Sequence, residues 1–422
     1  MGGNVTAVNK KTGEETRARK IELDKTGRAT FTRKFIQLFK ELNKIHLKQF
    51  KQKIWVDENK LVTGELFNGS TSYIFDQSIS DEEILKHKPS AGDLDIIVPE
   101  TMKESIWTML DELEGEEVIK GIKYVGSNKP TISSIGEQIN ALFIAEFDGY
   151  KAFAQVDFEF LPVDDEGSPS DWAKFSHSSS FEDAKKGVKA VHHKYLIQAL
   201  AGGASARDDI VIVTSKAEFN PGSKNHFDKK IVGGKKALEI PRLLKFSVVR
   251  GIGIAYEPLL DLNGKIVKYE GKDVYREIPT SDRNYATTAE EIYKLAFGRI
   301  EDHPEDVKLF WSFIGIVELI KKYMDDKSIN NTHKRYVEKL WGGTGGEGQV
   351  LEVGNKELDF QVKNSGYQYF CKELGLKSNM QVADKYYENF ENLRGGDTVS
   401  ESMGFSRLLT FGEFIQQDSW GL

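Results

Sequence analysis

The stretch "AGDLDIIVPE", residues 91–100, constrains this chain more than any other. Ile96, Ile97 and Val98 are β-branched without interruption and read as a buried strand. Asp93 and Asp95 stand at its mouth. Side chains at i and i+2 leave the same face of a strand, so the two carboxylates are expected side by side, roughly 7 Å apart at Cα. Like charges at that spacing repel unless something positive lies between them. Either the strand ends in water, or the two acids are hard oxygen ligands for a divalent cation.

A second strand bears on that choice. In "KAFAQVDFEFLP", residues 151–162, Val156, Phe158 and Phe160 alternate with Gln155, Asp157 and Glu159. That pattern predicts a half-buried strand with its acids on the open side.

A chain of 422 residues can bury a large core and is long enough for two or three domains. No apolar stretch approaches the ~20 residues that cross a membrane. The first twenty residues lack a signal peptide's apolar core, although Gly2 and Thr6 fit a short acylation pattern. A single cysteine, Cys371, excludes an internal disulfide framework and a cysteine-rich zinc module, and fits a cytoplasmic setting. The net charge of −7 excludes a wholesale nucleic-acid binder. Residues 1–60 nevertheless hold 15 Lys and Arg against 7 Asp and Glu, a local +8 that leaves −15 on the rest. That asymmetry suits either a polyanionic partner or a solubilising face.

Residues 1–29 are polar and expected to be partly mobile. Helical spacing of Phe35, Leu38, Phe39, Leu42 and Ile45 predicts a helix over 30–50. On it Lys40, Lys44, Lys48 and Lys51 form one basic stripe. Strand-like runs follow at 53–56 and 61–67, then a small-residue turn, "NGSTS", at 68–72. Residues 80–88 predict a helix capped by Ser80, and 105–115 an amphipathic one. Residues 178–203 predict one capped helix ending at Gly202-Gly203. Residues 206–285 read as β-rich around an Asn263-Gly264 hairpin signal. Further helices are predicted over 288–297, 304–325, 328–341, 366–375 and 379–393, with a hairpin at 348–364. The fold class is therefore α+β, arranged as a basic lead (1–60), a small mixed sheet with flanking helices (61–205), a β-rich segment (206–285) and a mainly helical region (286–422).

Three features occur in order: "FNGS" with Gly69-Ser70, "GDLDIIV" with Asp93 and Asp95, and "QVDFEF" with Asp157. Together they resemble the DNA polymerase β-like nucleotidyltransferase superfamily, with a spelling most similar to poly(A) polymerases and archaeal-type CCA-adding enzymes. The resemblance covers roughly residues 30–205. It implies a nucleotidyltransferase palm that transfers a nucleoside monophosphate from a triphosphate, ATP or CTP, to an acceptor hydroxyl. The basic lead and the long remainder of the chain favour a polynucleotide, an RNA 3′ end, as that acceptor. The resemblance also implies two Mg²⁺ ions, or Mn²⁺, on Asp93, Asp95 and Asp157, the third acid also acting on the acceptor's proton. Gly69, Ser70 and Lys189 would then contact the triphosphate. Glu159, on the same strand face, is the alternative third carboxylate. A protein, a small molecule or a second nucleotide remains an alternative acceptor, and a non-catalytic binding protein an alternative role. One departure stands out: 22 residues separate Ser70 from Asp93, so the resemblance requires an insertion over 71–91.

Lys185, Lys189 and His192 fall at i, i+4 and i+7 and would form a basic stripe on the 178–203 helix. His192 and His193, as neighbours, point to different sides and make a poor metal pair. "GTGGEGQV", residues 343–350, imitates a kinase loop, but the lysine, H-R-D and D-F-G elements of a kinase are absent. "RGIGIA", residues 250–255, opens no helix and is no dinucleotide turn.

Overall fold

The computed structural model describes residues 6–8, 13, 15–127, 131–133, 136–162, 170–176, 180–188, 190–222, 242–247, 250–297, 304–341 and 366–376. The protein is α+β, with several small sheets among its helices. No helix among the described residues is long and apolar enough to cross a membrane.

Residues 15–29, expected to be a loose lead, are tied into the fold. β1 (Thr6–Val8) pairs with β2 (Glu15–Arg17), and β3 (Ile21–Glu22) follows. Ala18 is buried against Val125 and Leu142, and the Arg19 amide donates to the Phe153 carbonyl at 3.0 Å. One turn, α1 (Leu23–Thr26), precedes α2 (Arg28–Phe50). Phe31, Phe35, Leu38, Phe39 and Leu42 of α2 are fully buried, as their spacing requires. The helix stops at Phe50, because Lys51 adopts a left-handed conformation (φ 61°). Lys51 therefore leaves the basic stripe, and Lys44 is paired with Glu41 at 2.9 Å.

The strand-like runs at 53–56 and 61–67 are not strands. Asn43 of α2 takes the amides of Ile54 and Trp55 at 2.7 and 3.1 Å and donates to the Trp55 carbonyl at 3.0 Å. A side chain thus satisfies backbone groups that a neighbouring strand would otherwise take up. Residues Asn59–Thr63 form a short helix, α3, and Phe67 makes one isolated bridge to Ile96. The "NGSTS" turn opens a helix as well, α4 (Gly69–Phe75). α5 (Asp81–His87) forms where expected, with Ser80 Oγ accepting from the Glu83 amide at 3.2 Å.

β4 (Ser90–Ala91) pairs with β3, and β5 (Leu94–Pro99) is the acidic-mouthed strand. α6 (Lys103–Glu112) leads to β6 (Glu117–Ile119), β7 (Ile122–Ser127), β8 (Thr131–Ser133), β9 (Gly136–Phe147) and β10 (Tyr150–Leu161). These build a mixed six-stranded sheet of order β5-β10-β9-β7-β6, with β8 on β9. β5 and β10 run parallel; the other pairs are antiparallel. Leu94, Ile96, Val98, Val156, Phe158 and Phe160 share one core with the apolar stripe of α2. Asp95, Asp157 and Glu159 therefore take the other face, as the alternation predicts. That face is not open, however: Asp157 and Glu159 are 5% and 3% exposed.

Residues 178–203 do not form one helix. α7 (Asp171–Ser176) is followed by α8 (Phe181–Lys185) and α9 (Ala190–Ala204), with a break at Lys186-Gly187. Gly202 and Gly203 lie inside α9 rather than ending it. A Cβ on Gly203 would fall 2.1 Å from Thr332 Oγ1, so the small residue permits a close approach of the later helix.

The β-rich segment is present. Its strands at Ile210–Val213, Leu244–Ser247, Gly251–Ile254, Tyr256–Pro258, Lys268–Tyr269, Lys272–Glu277 and Tyr285–Ala286 form two small sheets. The Asn263-Gly264 turn is closed by the Gly264 amide on the Asp261 carbonyl at 3.0 Å. "RGIGIA" holds the Gly251–Ile254 strand. The helical region comprises α10 (Ala289–Phe297), a 3₁₀ segment at Pro304–Trp311, α11 (Phe313–Tyr323), α12 (Asp326–Trp341) and a turn of helix over 366–373. The single helix expected over 304–325 is broken at Ser312, whose extended backbone and hydroxyl cap α11. The segments at 343–350, 348–364 and 379–393 lie outside the described residues.

Candidate metal centre

Asp95 and Asp157 are paired residues of the parallel β5–β10 ladder. Asp93 stands just before β5, after the turn that leaves β4. One carboxylate oxygen from each of the three lies within 4.8 Å of the others. Asp93 and Asp95 are half-buried and Asp157 is buried. Asp157 is the third acid of this group; Glu159 is not in it, and its Oε2 accepts from Asn68 Nδ2 at 2.5 Å.

Each acid is held by its neighbours. Asn140, opposite Asp157 on β9, donates to Asp157 Oδ1 at 2.7 Å. Gln155, two residues back on β10, donates to Oδ1 and Oδ2 at 2.8 and 2.9 Å. Thr71 bridges the acid pair: its hydroxyl accepts from the Asp95 amide at 3.0 Å and donates to the Asp93 carbonyl at 3.5 Å. The Asn68 amide donates to the Asp95 carbonyl at 3.1 Å. Asn68, Thr71, Asn140, Gln155 and Lys194 were missed in the sequence. Only Asn68 and Gln155 carried a signal, as neighbours of Gly69 and Asp157.

Gly69 is fixed against this cluster. Its φ is +54°, and a Cβ there would fall 2.7 Å from Asp95 Oδ2. A side chain would be both strained and blocked. Ser70 follows in the first turn of α4 and shares a side-chain hydrogen bond with Tyr73, whose hydroxyl burial pushes up to about 12. The long gap before Asp93 is filled by α5 and its connections. Buried Arg28 pins that excursion, donating to the Ile74 and Ile79 carbonyls at 2.7 and 2.6 Å, to the Asp76 carbonyl, and to Asp81 Oδ1 at 2.9 Å.

The electrostatics are those of a crowded anion cluster. Burial, then Asp93, Glu159 and Asp157, raise Asp95 well above the usual carboxylate range. Burial and Asp93 push Asp157 up to about 7 against the pull of Asn140 and Gln155. Burial likewise lifts Glu159 to about 7, opposed by the Asn68 hydrogen bond and by Lys194. Half-buried Lys88 has its pKa lowered by burial, with Asp93 and Asp95 opposing. Among the described residues, none of the three aspartates makes an ion pair. Hard oxygen donors packed this closely suit a divalent cation, which would relieve their repulsion.

Among the described residues the expected basic stripe does not form, because Lys185 and His192 belong to different helices. Lys185 belongs to α8 and is bound to Glu83 and Glu182 at 2.8 and 2.7 Å. His192 is buried with Nδ1 2.7 Å from the Tyr336 hydroxyl, and His193 Nε2 is 3.0 Å from the Phe310 carbonyl. Lys189 lies outside the described residues. No protein-family model, no curated protein and no solved structure matches the chain.

Proposed function

We propose that this protein is a nucleotidyltransferase of the polymerase β-like type, with residues 61–205 as its catalytic domain and the mixed sheet as its palm. It would transfer a nucleoside monophosphate from a triphosphate to an acceptor hydroxyl and release pyrophosphate. The observation that carries this reading is the convergence of Asp93, Asp95 and Asp157 within 4.8 Å, with Gly69 packed on Asp95. These elements are widely separated in sequence, and their convergence supports the reading.

The three aspartates would hold Mg²⁺, or Mn²⁺. Bound there, such ions supply charge compensation for the triphosphate and for the attacking and leaving oxygens. The remaining work falls to the chain. Asn140 and Gln155 fix the Asp157 carboxylate in one orientation. From that position Asp157 receives the proton of the acceptor hydroxyl as its oxygen bonds to the α-phosphorus and the bond to pyrophosphate breaks. Thr71 and Asn68 fix the backbone that presents Asp93 and Asp95. Gly69 and Ser70 would face the triphosphate, and the basic residues of α2 would favour a polynucleotide acceptor, RNA in particular.

The test is incubation with Mg²⁺ and each α-labelled triphosphate, ATP, CTP, GTP and UTP, using RNA, protein and small-molecule alcohols as acceptors. Label should appear in one acceptor class together with pyrophosphate. Absence of label, pyrophosphate and metal-dependent nucleotide binding would overturn the reading.

A further inference from the structure

Glu159 lies two residues along β10 from Asp157, on the same face, and is 3% exposed. Its Oε2 is bound to Asn68 Nδ2. Asn68 occupies the position before α4, where an asparagine ordinarily turns its side-chain oxygen back onto the helix. Here it makes no such cap. Its amide donates to the Asp95 carbonyl at 3.1 Å, and its carbonyl accepts from the Thr71 and Ser72 amides at 3.1 and 3.4 Å. One residue thus joins β5, β10 and the first turn of α4, and Gly69 follows it directly against the Asp95 carboxylate.

We infer that Glu159 is a positioning residue: through Asn68 it fixes the Gly69-Ser70 turn against Asp95, and so sets the protein's affinity for the triphosphate without holding the metal. The inference rests on the nucleotidyltransferase reading. One feature separates Glu159 from the ligand set: it is not among the carboxylates whose oxygens converge. Its capping partner has also given up its usual local role, which points to a connection used across the site.

The test compares the full chain with Glu159→Ala, Glu159→Gln, Asn68→Ala and the Glu159→Ala/Asn68→Ala double variant. Mn²⁺ alone, and then α,β-methylene-ATP with Mn²⁺, are titrated by calorimetry. Loss of a buried hydrogen bond to a charged group should weaken analogue binding roughly 10-fold in either alanine variant. Glu159→Gln, whose amide oxygen still accepts from Asn68, should restore most of it. The double variant should be no worse than either single one, because both cut the same bond. Mn²⁺ affinity in the absence of nucleotide should be unchanged throughout. If Glu159→Ala does not fold, Asn68→Ala carries the same comparison. Equal impairment of Glu159→Gln and Glu159→Ala with loss of Mn²⁺ binding would make Glu159 a ligand and overturn the inference. So would a lowered melting temperature with unchanged analogue affinity, or additive losses in the double variant. A wild-type protein that binds neither Mn²⁺ nor the analogue removes the nucleotidyltransferase reading itself, and the inference with it.

Discussion

Asp157 lies directly opposite Asp95 in the parallel β5–β10 ladder, so both carboxylates leave one face of the sheet at one level. Asp93 closes the group from the turn before β5. Carboxylates so arranged repel one another, and a divalent cation held between them would relieve that repulsion. Asp95→Asn should therefore raise the melting temperature in EDTA, since it removes one charge from the cluster. It should reduce nucleotidyl transfer by more than roughly 100-fold, at least the loss caused by removing an outer partner of a metal ligand. Added Mn²⁺ should stabilise the wild type and not the variant. Melting curves with and without Mn²⁺, beside a transfer assay, test this; an active variant, or one that Mn²⁺ stabilises equally, would remove Asp95 from the metal centre.

Gly69→Ala isolates the close approach at the other side of the cluster. The backbone there is left-handed, and the new Cβ meets Asp95 Oδ2 at 2.7 Å. Strain of this kind costs of order 1–3 kcal/mol. The variant should melt earlier than wild type and bind both Mn²⁺ and nucleotide more weakly, since Asp95 must yield to the methyl group. Wild-type affinities at a wild-type melting temperature would show that the turn and the carboxylate move independently.

The sequence made the site's acids legible for a physical reason. A strand alternates its faces, so Asp157 and Glu159 could be separated from Phe158 by parity, and Asp93 and Asp95 stood out against Ile96-Ile97-Val98. The same parity could not say how much covers the acidic face, and the exposure expected there was wrong. Burial is decided by what packs across the sheet, and Asn68 and Lys194 are remote in sequence from β10. α2 was legible from the spacing of its apolar stripe, and α5 from its Ser80 cap and first-turn acids. Residues 53–56 were not, because Asn43 of α2 takes over backbone hydrogen bonding at Ile54 and Trp55 that a strand would have made. The break between α8 and α9 was missed because apolar periodicity persists across Lys186-Gly187. The basic stripe inferred there required a continuous helix.

Arg28 shows how the long excursion between Gly69 and Asp93 is kept in place. Its ion-pair partner Asp81 is half exposed and contributes little by itself. The carbonyls of Ile74, Asp76 and Ile79 matter more: one guanidinium, 4% exposed, donates to all three, and the bond to Ile74 is fully buried. Arg28→Met keeps the apolar stem and removes the donors. Leaving the buried Ile74 acceptor without a partner, and the other two dependent on water, should cost about 1–3 kcal/mol. Limited proteolysis should then cut within 76–90 sooner than in wild type, and nucleotide affinity should fall, because α4 begins at the site and ends at this anchor. An unchanged cleavage pattern would mean that α5 holds itself without Arg28.

Asp183 links α8 to the helical region and gives a pH-dependent test of that junction. Its two oxygens accept from the Phe313 and Ile314 amides at 2.8 and 3.1 Å, at the first turn of α11. Burial pushes its pKa up to about 6 in spite of these bonds. The folded state therefore keeps a proton that the unfolded chain releases near pH ~4. A group shifted in that direction contributes most below its unfolded pKa, and the contribution is lost as pH rises through the folded value. Asp183→Asn cannot titrate, so the difference between wild type and variant isolates this residue from the other buried carboxylates. The stability of wild type relative to Asp183→Asn should fall between pH 4 and pH 7, by at most about 3 kcal/mol for a shift of this size. Denaturant melts of both proteins in EDTA across that range give the measurement. A difference that stays flat, or that rises with pH, would show that the two α11 amides stabilise the carboxylate more than burial penalises it.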